Sequence, residues 1–440
     1  MLKILRGLTL TLLVFLFSYS SGKVASELNV NNIAESYVKL VLEVGLYDPD
    51  YVDAYYGPPE WRPSKIETRT EKEFPYDQLR EKVNHIIEQL EKIDQNQFGG
   101  LEKLRCAYLM EQLSSVKAKI DLLSGKRMSF DEESKALYGA VAPTYDEDYF
   151  ESVLKKLDNA LPGEGDIYER FNNYRKEFII PKDKLDAVFK IAIDECRRRT
   201  LKYIELPENE NIILEFVTDK PWGAYNWYKG NSFSLIQVNT DLPIHIDWGI
   251  GLASHEAYPG HHVHLTLLEK HLVRDRNWVE YSVYPLFSPV SLIAEGIAEY
   301  ASIDLLFPGN ERVEFERTVL FPLAGLDPSK AEKYYKIIKL RDELRRYEGT
   351  QTARRYLDGK ISKEETIARI RKYCLRTPEE AEQHVRFLER YQSYIINYSV
   401  GRDIIKSYIE KRGGTDENPQ KRWELFCTLL STPLTVSGLQ

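Results

Sequence analysis

The sequence predicts a mainly α-helical protein with one small β-sheet set immediately before a cluster of histidines. Three observations predict it. Apolar residues recur at helical spacing through long stretches on both sides of residue 211. Helix-capping signatures punctuate the C-terminal half. Dense Ile, Leu, Phe, Val, Trp and Tyr with strand character are confined to the segment from Asn211 to Asn239.

Taken in order, the N-terminus reads as a targeting segment. Lys3 and Arg6 precede an apolar run from Leu8 to Phe17. That run has about ten residues, the length of an export-signal core and too short to span a bilayer comfortably. Ser18 to Ser26 is small and polar, as a cleavage region requires. Residues 1–26 are therefore expected to be a signal peptide and the mature protein periplasmic or secreted, with no membrane span. Helices are expected over Ile33–Val44, ending at Gly45, and over Tyr76–Ile93, Leu101–Leu123, Asp146–Leu161 and Leu185–Ile204. Pro162-Gly163 stops the fourth of these. Strands are expected at Asn211–Val217, from Tyr225, and at Ser232–Val238, the last two joined by a turn at Lys229-Gly230-Asn231. Asp327-Pro328 opens a later helix, and Ser362-x-x-Glu365 and Thr377-x-x-Glu380 are capping boxes. The helix from Pro378 is expected to run on to Gly413-Gly414. The absence of Ser/Gly/Pro-rich linkers, repeats and low-complexity tracts favours one domain over residues 27–440. It divides into an N-terminal helical portion, 27–205, and a metal-site portion, 206–440.

Charge narrows the function. The net charge is −8 with no long basic run, which argues against nucleic acid as a partner. Cys106, Cys196, Cys374 and Cys427 form no CxxC motif, and their disulfide state is open. There is no Gly-x-Ser-x-Gly elbow, Walker A or Rossmann fingerprint. No histidine has Glu three residues before it, which removes a di-iron bundle site.

The chemistry concentrates at His255-Glu256-Ala-Tyr-Pro-Gly-His261-His262-Val-His264, followed by Glu295-Gly-Ile-Ala-Glu299-Tyr300. Imidazoles with a carboxylate are zinc ligands, and a Glu directly after the first His suits a general base. His255 and His261 are six residues apart. On a regular helix that is about 600°, so the rings point roughly 120° apart. Pro259-Gly260 lies between them, and a bulge or kink there would bring them together. His261 with His264 is the rival pair.

His-Glu-Ala-Tyr-Pro-Gly-His, with the later Glu-Gly-Ile-Ala-Glu-Tyr, resembles the bacterial "domain of unknown function 885" family, a divergent branch similar to the gluzincin metallopeptidases. The resemblance extends to Tyr55-Tyr-Gly-Pro-Pro-Glu-Trp61 and Tyr398-Ser-Val-Gly401. The family usually has Gln where this chain has His264. The resemblance implies a single zinc ion bound by His255, His261 and Glu295, with Glu256 as base. Glu299, one helical turn from Glu295, can orient a ligand histidine. Tyr398 is a candidate for stabilising an oxyanion, and Arg402 for gripping a substrate carboxylate. His264 is a further candidate contact. The strand ending at Asn239 occupies the place where zincins bind an extended peptide.

The expected function is a zinc-dependent metallopeptidase acting on peptides. A metal-dependent hydrolase of a non-peptide amide or ester, and a non-catalytic helical binding protein with a vestigial metal site, are the alternatives.

Overall fold

Residues 29–44 form α1, which turns Ile33, Ala34, Tyr37, Val38, Val41 and Val44 into the interior. This computed structural model describes residues 29–63, 74–220 and 222–440. The expected signal segment, 1–26, lies outside the described residues. After α1 the chain forms β1 (Val52–Tyr55), α2 (Tyr76–Glu91) and α3 (Gly100–Leu123). In α2 the buried residues are Leu79, Val83, Ile86 and Leu90, the 3.6-residue stripe that places it against α3. Next come α4 (Phe130–Tyr138), α5 (Glu147–Ala160), α6 (Ile167–Arg175) and α7 (Leu185–Thr200).

The sheet interrupts the helices where expected. It comprises β2 (Asn211–Val217), β3 (Ala224–Tyr228) and β4 (Phe233–Asn239). Strands β3 and β4 form an antiparallel hairpin, and β2 joins β4 in parallel. The hairpin turn uses positive φ at Gly230, Asn231 and Ser232. The spatial order is β2-β4-β3, so the Ser232–Asn239 strand is central and both its edges are occupied. It is not the edge strand the sequence suggested. The edges of this sheet are β2 and β3.

The histidine-bearing segment follows as α8 (Asp247–Leu252), α9 (His261–Leu268), β5 (Val283–Pro285) and α10 (Pro289–Tyr300). Strand β5 pairs with β1, which carries the N-terminal Tyr55-Tyr-Gly-Pro-Pro segment to the same end of the molecule. Then come α11 (Glu311–Phe315), α12 (Phe321–Ala324), α13 (Ala331–Leu357), α14 (Lys363–Cys374) and α15 (Pro378–Tyr391). Both predicted capping boxes form, at Ser362/Glu365 and Thr377/Glu380. The helix from Pro378 does not reach Gly413. It breaks at Gln392, which has φ 50° and ψ −125°. A tight turn (Gln392–Ile395) and a wide π-type turn (Asn397–Gly401) lead into α16 (Arg402–Lys411), then α17 (Pro419–Ser431) and α18 (Val436–Leu439). The break redirects the chain so that residues 397–401 lie along α10. There Gly401 and Gly296 touch: a Cβ on Gly296 would stand 2.5 Å from the Gly401 carbonyl.

Of the described residues 67% are helix and 7% strand, a mainly α protein. One hydrophobic cluster extends from Val30 to Leu439 and joins the two portions. The four cysteines are free thiols. Among the described residues, no helix is long and apolar enough to cross a membrane.

Candidate metal centre

Between the two histidines the chain leaves the helix altogether. Helix α8 widens into a π-type turn over Ala253–Ala257, Tyr258 is extended, the Tyr258–Pro259 peptide is cis, and α9 starts afresh at His261. Gly260 lies directly on the preceding backbone. Its N–H donates to the Ser254 carbonyl at 3.0 Å, and a Cβ there would fall 1.9 Å from the His255 carbonyl oxygen. Only glycine permits that approach. The result brings the two imidazoles edge to face, with centroids 4.8 Å apart. The rotational mismatch of a six-residue spacing is thus removed by restarting the helix rather than by bending it.

The second segment needs no such device. Helix α10 is regular, and Glu295 and Glu299 project one turn apart. Glu295 Oε2 lies 3.2 Å from His255 Nε2 and 3.6 Å from His261 Nε2. Donor atoms of these three residues all lie within 4.8 Å of one another. A tetrahedral zinc ion with ligand bonds of about 2.0–2.2 Å holds its donors roughly 3.3–3.5 Å apart. Glu295 Oε2 is also buried without a hydrogen-bond partner. An orphaned carboxylate oxygen facing two imidazole nitrogens fits a divalent cation. Three protein ligands leave room for a fourth.

The surrounding groups fix this set. The Tyr394 hydroxyl donates to Glu295 Oε1 at 2.8 Å, leaving Oε2 for the cluster. Glu299 Oε1 lies 3.5 Å from His255 Nδ1, and its other oxygen lies 3.8 Å from Arg346. Glu299 thus stands beside the ring nitrogen of His255 that faces away from Glu295. Burial would lower the pKa of His255, but Glu295, Glu256 and Glu299 overcome this and push it up to about 9. Burial would raise Glu295, and the two imidazoles instead hold it well below the usual carboxylate range. Burial lifts the Glu256 carboxyl above its ordinary value, partly opposed by His255 and His261. Glu256 is buried yet lines the cavity, and its carbonyl accepts from Asn226 Nδ2 at 2.6 Å. Asn226 thereby ties edge strand β3 to the turn that carries Glu256.

The cavity itself has a volume of about 1010 Å³. Tyr398 lines it, with its ring stacked 6.5 Å from that of His255. The structure brings His255, Glu256, His261, Glu295, Glu299 and Tyr398 together. Three other predicted residues have different work. His264 is enclosed in the core with Nδ1 unpartnered, outside the donor cluster and outside the cavity lining. Burial pushes its pKa down to about 3. Asn239 closes the loop before β3, donating to the Lys220 and Trp222 carbonyls at 3.0 Å each. Arg402 reaches the cavity, but its guanidinium is bidentate on Asp304 at 2.7 and 2.9 Å. It is already paired and is not free to grip a substrate carboxylate.

Sequence reasoning missed three supports. Tyr394 precedes Tyr398 by one helical turn, a spacing that could have suggested it. Asp53 on β1 lines the cavity, is bonded by Tyr225, and is raised to about 6 by burial. Glu210 accepts from Tyr258 and Arg197 and lies 2.9 Å from His262 Nε2. It thus clasps the residues on either side of Pro259-Gly260-His261. Nothing local marks Asp53 or Glu210, because each acts across the fold.

No protein-family profile matches the chain, and no curated protein matches it. Solved structures similar to it include a candidate lipoprotein from Colwellia psychrerythraea, at 15% identity and a TM-score of 0.49, covering 81% of this chain and 65% of that one. The chain thus spans under two thirds of that protein's length. A candidate lipoprotein of unknown function from Shewanella oneidensis aligns at 14% identity and a TM-score of 0.44, over 85% of this chain and 73% of its own. A structure described as BsuCP aligns at 11% identity and a TM-score of 0.46, over 95% of this chain and 97% of its own.

Proposed function

We propose that the protein is a zinc-dependent peptidase whose zinc ligands are His255, His261 and Glu295. The observation that carries this reading is the position of Glu256. It sits on the turn between two imidazoles and faces the same cavity as a buried carboxylate oxygen that lacks a partner. A zinc ion held there by His255, His261 and Glu295 would supply an acidified water and a Lewis acid for a substrate carbonyl. Glu256 takes the proton of the attacking water and passes it to the leaving amine. A carboxyl lifted by burial is suited to both transfers. Tyr394 holds one oxygen of Glu295 so that the other remains for the ion. Glu299 keeps His255 Nε2 turned toward the cluster. Tyr398 offers a hydroxyl beside the site for the carbonyl oxygen as charge develops on it. Edge strand β3 supplies backbone against which an extended peptide can pair.

The same motifs support a place beside the domain-of-unknown-function 885 family. The basic and then apolar N-terminus supports export. Glu256→Gln tests the mechanism: the variant should keep its zinc and lose about 10²–10⁴-fold in peptide hydrolysis. A Gln variant as active as wild type would sink the reading.

A further inference from the structure

The cavity has a second end whose chemistry is unlike the first. Rings line one wall in succession from His255. Tyr398 comes first, then Tyr394 at 5.9 Å, Tyr391 at 6.1 Å, Phe387 at 4.9 Å and His384 at 6.0 Å, each measured from the ring before. The last three share one face of α15, and seven residues of helix extend about 10 Å. The track therefore leads away from the metal centre. It ends at Arg376 and Arg345, which also line the cavity and whose charges act on His384 and on each other.

Arg376 has no hydrogen bond or ion pair among the described residues; what acts on its charge acts at longer range. The neighbouring acids are engaged elsewhere. Glu380 accepts from Arg175 at 3.3 Å and from the Thr377 backbone at 2.9 Å. Asp342 is bound by Arg341 at 3.0 Å and lies 3.7 Å from Arg345. A partly buried guanidinium facing another cation, with no carboxylate of its own, is unfavourable unless something anionic completes it. Burial and Arg345 push the pKa of Arg376 down to about 10, so it stays charged at neutral pH.

We infer that this end of the cavity is a carboxylate-recognition subsite, in which Arg376 and Arg345 bind an acidic group of an extended substrate whose apolar side chains lie along Tyr391 and Phe387. Guanidinium pairs are suited to this because each presents a fork of donors to a carboxylate. The carboxylate comes from an acidic side chain or from a free C-terminus. The inference rests on the peptidase reading only for the claim that the substrate is a peptide.

The test is calorimetric titration of full-length, zinc-loaded Glu256→Gln protein with eight-residue Ala/Phe peptides. One Glu is walked along the peptide, each position is matched by Gln, and each peptide is made with a free and an amidated C-terminus. One register should bind about tenfold tighter as its carboxylate form, the size of a charged hydrogen-bonded contact. Loss on Glu→Gln assigns the subsite to a side chain, and loss on amidation assigns it to the C-terminus. Arg376→Gln should bring the preference within about twofold. Arg345→Gln should reduce it in parallel, and it provides the same test if thermal unfolding shows that Arg376→Gln has not folded. Equal binding of all forms, or a preference that survives both substitutions, overturns the subsite. Cleavage of the same peptides by wild type is read separately. Carboxylate-selective binding without cleavage leaves the subsite standing and removes the peptidase, and cleavage without selectivity does the reverse.

Discussion

The two segments that supply the candidate ligands are built in opposite ways. Glu295 and Glu299 ride on a regular helix, where spacing alone sets them one turn apart. His255 and His261 ride on a turn that is regular nowhere between them and is held from outside. Gly260 presses on the His255 backbone, Asn226 holds the Glu256 carbonyl, and Glu210 clasps Tyr258 and His262. The regular segment needs only to be docked, through Gly296 on Gly401. The irregular segment needs its shape imposed. Damage to distant partners should therefore disturb the histidines far more than the glutamates.

The largest effect is expected at Gly260. Gly260→Ala places a methyl 1.9 Å from a backbone oxygen, so the turn must move. We expect zinc binding to be lost and stability to fall by about 3 kcal/mol or more. Gly296→Ala also meets backbone, at 2.5 Å, but helix packing can shift as a unit. About 1–3 kcal/mol is expected there, with zinc retained more weakly. Denaturant melts and zinc titration of the two variants separate these outcomes. Equal loss of metal in both would erase the contrast.

Glu210→Gln comes next, because it removes the charge from a clasp with three partners. Zinc affinity should fall about 10–100-fold without change in the ligand set. The substitution also has a pH signature. Burial would raise the Glu210 pKa, but hydrogen bonds from His262, Tyr258 and Arg197 hold it at about 2 against an ordinary 4.5. Its stabilisation is thus complete above about pH 4.5 and is lost as pH falls through about 2. The wild-type protein should lose more stability than Glu210→Gln over that window. Parallel acid unfolding curves would show the clasp to be energetically idle.

Tyr394→Phe is the mildest. It deletes one hydrogen bond to Glu295 and keeps the ring in the aromatic track. About 1 kcal/mol of stability and roughly tenfold in zinc affinity are expected. An unchanged affinity would mean that Glu295 is positioned by α10 alone.

This contrast also marks what the sequence discloses. The helical stripe of α2, the capping boxes at Ser362 and Thr377, the β3–β4 hairpin and the pairing of Glu295 with Glu299 all depend on near neighbours, and all are legible. The convergence of His255 and His261 is legible only as a possibility opened by Pro259-Gly260. What closes it comes from Glu210, 45 residues before His255. The helix from Pro378 reads as continuous because residues 392–401 contain no residue that must break one, Gly401 aside. It breaks at Gln392, where the next residue, Ser393, donates its backbone N–H to Glu133 on α4, and residues 397–401 then pack on α10. Strand order is equally a tertiary property, so β4 reads as a possible edge until β2 is seen beside it. Arg402 looks available until Asp304, on another element, takes the Nε–Nη2 edge of its guanidinium, with Nη1 turned to Asp403.

The central claim is that the broken turn makes His255 and His261 ligands of one ion together with Glu295. The most direct measurement is the zinc content, by elemental analysis, of purified wild-type protein and of His255→Ala, His261→Ala, Glu295→Ala and His264→Ala. The structure predicts about one zinc per chain in wild type and in His264→Ala, and loss of the ion in the other three. Zinc retained in His261→Ala and lost in His264→Ala would contradict it.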